Sequence, residues 1–150
     1  MKTTERFDLA IKKLYTAFHN NTLNPECCKY CAVGNILDNN DFWKFFSDAH
    51  GSVQLNYLGL VIQNLGRRFN GYTPAELLQI EATFLEACGY KLPLRQLYHK
   101  KAIDKNKLFD GLESVLTLLC KLDHIDNIMD CYTIFNFEKE SIVLPKKPRS

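Results

Sequence analysis

The chain is 150 residues long, with 46% hydrophobic and 24% charged residues. These are globular proportions: they exclude a disordered, collagen-like or membrane-spanning chain and suit one hydrophobic core rather than two. The formal net charge of +2 excludes the strong basic field of a dedicated nucleic-acid binder. That charge lies in the last fifteen residues, where Lys139, Lys146, Lys147 and Arg149 stand against Glu138 and Glu140. Residues 1–135 therefore read as a helical domain, and 136–150, with Pro145 and Pro148, as a basic flexible tail.

In chain order, Phe7, Ile11, Leu14, Tyr15 and Phe18 form one helical stripe, with Thr3 or Thr4 as the cap and Asn20, Asn21 and Asn24 as breakers. Asn24-Pro25-Glu26 predicts a second helix running to about Leu37, packed antiparallel to the first, with Asn as N-cap and Pro at the first helical position. A turn over 38–41 leads into a short aromatic helix ending at Gly51. Leu55, Leu58, Ile62 and Leu65 predict a helix within 53–69, stopped by Asn70-Gly71. Thr73-Pro74-Ala75-Glu76 is the clearest start signal, a capping box ahead of Leu77, Leu78, Ile80, Phe84 and Leu85, with Gly89 as the C-terminal stop. Residues 90–104 read as irregular and basic, about 105–122 as a helix, about 125–135 as a shorter one, and Ile142 to Leu144 as a short extended piece. No strand alternation flanked by hairpin turns is seen. The fold class is all-α, a compact single-domain bundle of five to seven helices.

The opening residues interrupt every apolar stretch with charge, and no run approaches the ~18 apolar residues of a membrane helix. The expectation is a cytoplasmic protein without a membrane segment, whose thiols stay reduced. Of the six cysteines, Cys27, Cys28 and Cys31 cluster. On a helix begun at Pro25 they share one face, away from Ala32, Val33, Ile36 and Leu37. A helix N-terminus lowers thiol pKa and so favours thiolates, which are both metal ligands and nucleophiles. The short connection 20–24 would bring His19 back as a fourth ligand, for zinc or an iron–sulfur centre. Two other readings stay open: the cysteines pack as small hydrophobes, with Gly34 allowing close helix approach, or they do thiol-redox work. Cys88, Cys120 and Cys131 read as buried packing.

Other constellations are thin. Asp104 to Phe109 starts like a calcium loop but lacks its oxygen ligands and Gly. His50, His99 and His124 show no mutual spacing for a site. Glu76, Glu81 and Glu86 spread around their helix without a Glu-x-x-His, which argues against a carboxylate di-iron bundle. Arg67-Arg68 before Thr73-Pro74 suggests at most an anion contact. Phe42, Trp43, Phe45 and Phe46 read mostly as core, with an exposed subset able to form a groove for an unknown protein partner.

The stretches LYTAFHNNTLNPECCKYCAVGNILDN and NGYTPAELLQIEATFLEACGY, within roughly residues 3 to 130, resemble a family of small bacterial proteins labelled as the flavin-bearing component of a sodium-translocating NADH-quinone reductase. That label implies flavin and NADH chemistry, whereas this chain holds no flavin or NAD motif and no ferredoxin-type cysteine segment, so no residue is assigned to either. The function expected from the residues is thiophilic metal or iron–sulfur binding by Cys27, Cys28, Cys31 and His19. The alternatives are a non-catalytic scaffold and a thiol-redox protein.

Overall fold

The computed structural model describes residues 4–92, 104–125 and 134–135. Among them the fold is all-α, as expected. It comprises α1 (Glu5–His19), α2 (Ala32–Ile36), a 3-10 turn (Phe42–Phe46), α3 (Tyr57–Asn64), α4 (Pro74–Ala87) and α5 (Lys105–Leu122). The described residues include no sheet, only an isolated bridge between Phe69 and Tyr72. None of the described helices is long and apolar enough to cross a membrane. The expected helix over 125–135, the extended piece at 142–144, the tail, Cys131 and His99 lie wholly or largely outside the described residues.

Three helices begin and end where local chemistry says they should. Thr4 caps α1 by accepting from the Phe7 N–H, and Asn21 leaves the helix with φ +60°. Thr73 and Glu76 form the reciprocal capping box of α4. Asp104 caps α5. α4 packs most extensively on α5, and α1 lies against both α2 and α5. Phe18, Leu77, Phe84, Phe109, Leu112 and Val115 are buried between these helices.

The helix expected from Pro25 is corrected. Residues 25–31 form successive turns, and α2 starts only at Ala32, with Cys31 as its N-cap. Side chains outcompete the helical hydrogen bonds here. Asn24 accepts from the Glu26 N–H through Oδ1, and its own N–H closes the loop on the Tyr30 carbonyl at 2.8 Å. The Cys28 carbonyl is taken by Trp43, the Lys29 carbonyl by Asn39 and the Tyr30 carbonyl by Asn35. The aromatic segment is likewise a 3-10 turn ending at Phe46 rather than a helix to Gly51. α3 is shorter than the 53–69 window because Asn56 caps it, accepting from the Gly59 N–H.

Arg6 fastens the first helix to the rest. Its guanidinium lies 2.5 Å from Asp123, 3.1 Å from Glu76 and over the Tyr72 ring. One side chain thus joins α1, the start of α4 and the end of α5.

Candidate metal centre

The turn 27–31 delivers Cys31 into the interior, fully buried. Its Sγ accepts from the Gly34 N–H at 3.3 Å and faces the Cys28 carbonyl oxygen at 3.6 Å. Gly34 is required for this: a Cβ there would meet the Cys28 and Lys29 carbonyl oxygens at 2.4 Å. The expected close approach is therefore of α2 to its own preceding turn.

Glu81 comes from the middle of α4. It follows Leu77 by one turn and shares a face with Phe84 and Leu85, so the helix that buries them buries it, to 0% exposure. A carboxylate there needs partners. Its oxygens accept from the Val33 N–H at 3.3 Å and pair with His50 Nε2 at 2.8 Å. His50 sits on the loop between the 3-10 turn and α3, edge-on to the Trp43 ring at 5.6 Å. Trp43 in turn donates its Nε1–H to the Cys28 carbonyl at 3.1 Å.

Cys31, His50 and Glu81 thus place a sulfur, a nitrogen and an oxygen donor within 4.8 Å of one another. They come from three segments that share no sequence motif. Of the four residues named from the sequence, only Cys31 belongs to this group. Cys27 and Cys28 are half-buried on the preceding turn. His19 turns its Nε2 to the Phe135 carbonyl oxygen at 2.6 Å and packs on Tyr15 and Phe18. Cys88 and Cys120 are buried, as read, and His124 is exposed at the end of α5 with φ +56°.

Cys28 and Cys31 are not the depressed thiols a helix N-terminus would give. Burial, reinforced by the Glu81 charge, pushes Cys28 up to about 11 and Cys31 well above the ordinary thiol range. Neither is a ready thiolate. Glu81 carries a readable signal, a charge inside an apolar stripe. His50 carries none, since only the fold brings it there.

No family model, curated protein or solved structure matches the chain.

Proposed function

We propose that the protein is a metalloprotein holding one divalent transition-metal ion, zinc above all, between Cys31, His50 and Glu81. The observation that supports this most is the convergence of the three donors within 4.8 Å in the core. Ligands of a tetrahedral zinc stand roughly 3.3–3.6 Å apart, given metal–ligand distances of about 2.0–2.3 Å, so small side-chain shifts suffice. One thiolate and one carboxylate neutralise a divalent ion, which answers the cost of burying them. A sulfur and an imidazole favour zinc over magnesium or calcium, and the mixed donors favour a single ion over an iron–sulfur cluster. Cys28, three residues before Cys31, is the chain's own candidate for a fourth ligand. In a reducing cytoplasm both thiols would be available. With two of the three donors fully buried, the ion's role is structural: it fastens the 27–31 turn, the His50 loop and α4 to one another.

A second reading has its own support. Among the described residues every buried polar side-chain atom already has a hydrogen-bond partner. The same trio can therefore serve as a metal-free polar network in a helical scaffold. Elemental analysis of the full chain, purified untagged without oxygen, separates the two. The metal reading expects about one equivalent of zinc, or cobalt(II) uptake with a thiolate charge-transfer band. It also expects loss of either signal in Cys31→Ser and Glu81→Gln but not in Cys27→Ser. Less than about a tenth of an equivalent, with no uptake on reconstitution, leaves the network.

A further inference from the structure

α3 turns its apolar side outward. Gly59 is its buried residue, and a Cβ there would meet the Phe46 carbonyl oxygen at 2.4 Å, so the helix lies backbone-close on the 3-10 turn. Gln63, half-buried, accepts from the Ala75 N–H at 2.9 Å. The opposite arc holds Tyr57, 82% exposed, Leu65, 68% exposed, and Leu58, Leu60 and Val61, with Asn64 among them. Phe45 and Val53, each 59% exposed, adjoin it, and the Asn56 side chain ties the Phe45 carbonyl to the start of α3. No charged residue occurs from Gly51 to Gly66.

We propose that this face is a twofold interface, covered by the same face of a second copy of the chain with the two α3 helices antiparallel. Two observations select that occupant. At their exposures, with Phe42, these side chains present on the order of 700 Å² of apolar surface. That is above the largest patch of most monomers and close to the ~800 Å² each partner gives to a standard interface. The charges at the two ends of the helix are also opposite. Asp48 lies at the N-terminal end, accepting from the Asn56 amide at 3.2 Å, and Arg67 and Arg68 follow the C-terminal end. A perpendicular twofold axis sets Asp48 of one copy beside the arginines of the other, with the uncharged arc between. Lys44 is paired with Asp41 at 3.1 Å, so it does not oppose this pairing, and Arg68, exposed and 3.9 Å from Glu76 through one nitrogen, keeps donors for the Asp48 of the other copy. An anionic lipid surface would suit the arginines and be opposed by Asp48.

Sedimentation velocity of the full chain across the micromolar range tests the interface without reference to metal. The expected species has twice the 17.4 kDa chain mass. Val61→Glu with Leu65→Glu, both exposed, is expected to keep the far-UV circular dichroism and raise the dissociation constant at least about tenfold. Asp48→Arg alone is expected to weaken the dimer, and Arg67→Asp with Arg68→Asp on that background to restore it. A chain that stays monomeric at every concentration overturns the proposal, whether or not it sediments with phosphatidylserine vesicles. So does a dimer indifferent to the double glutamate variant. A charge-swapped variant that fails to recover overturns the antiparallel pairing.

Discussion

Glu81 is a carboxylate without exposed surface, accepting from a backbone N–H on α2 and paired with a histidine from a loop. Removing it leaves a buried N–H and a half-buried imidazole unanswered, and such losses cost about 3 kcal/mol where a charged group is involved. Glu81→Ala is expected to lower the unfolding free energy by about that much in urea titration. Glu81→Gln, whose amide oxygen still accepts from Val33, is expected to cost about half as much. Equal losses in the two variants would show that the network does not hold Glu81 in this way. At this scale the site was half legible. The Cys-x-x-Cys spacing pointed to Cys31, whereas Glu81, read only as one of three carboxylates spread around α4, was passed over although it interrupts the apolar stripe. The meeting of Cys31 with His50 and Glu81 was not legible, because helix geometry alone places nothing across separations of 19 and 31 residues of chain.

Between elements, the most extensive packing is of α5 on α4, and it is close at Gly111. A Cβ on Gly111 would meet the Cys88 sulfur at 2.5 Å and the Phe84 ring at 2.8 Å, both in buried side chains that have nowhere to turn. Alanine gains up to about 1 kcal/mol over glycine inside a helix, but overpacking a core costs about 1–3 kcal/mol. Overpacking outweighs the helical gain: Gly111→Ala is expected to be destabilising by about 1 kcal/mol, seen as a lower denaturant midpoint at unchanged m-value. A midpoint at or above that of the parent would refute it. α1, α4 and α5 were readable because cap, stripe and stop agree along each of them. α2 was misread because Asn35 and Asn39 reach back over the chain to the carbonyls that a helix from Pro25 would have used. Such competition depends on contacts that periodicity does not encode.

For the molecule as a whole, burial raises Cys28 to about 11 and Cys88 to about 12, and moves Cys31 and Cys120 in the same direction. The native state therefore holds these protons to higher pH than the unfolded chain, whose thiols titrate near 9.0. Below that value the contribution to stability is complete, and it is lost as pH rises through the native values. With a chelator present, the thermal midpoint is expected to stay level up to about pH 9 and fall towards pH 11, less steeply in Cys88→Ala relative to its own neutral-pH midpoint. A midpoint that rises over that interval would contradict the burial of these thiols. The all-α class and the single core were legible from hydrophobic spacing, whereas the Arg6 clamp across α1, α4 and α5 arises only once the helices assemble. Trp43 is the chain's one tryptophan, and its indole lies edge-on to His50 while donating to the carbonyl of Cys28. Its fluorescence thus originates at the wall of the trio, so emission reads the loosening of that corner while dichroism reads the helices. Where the two melting curves part, the difference between them is the local stability of the site.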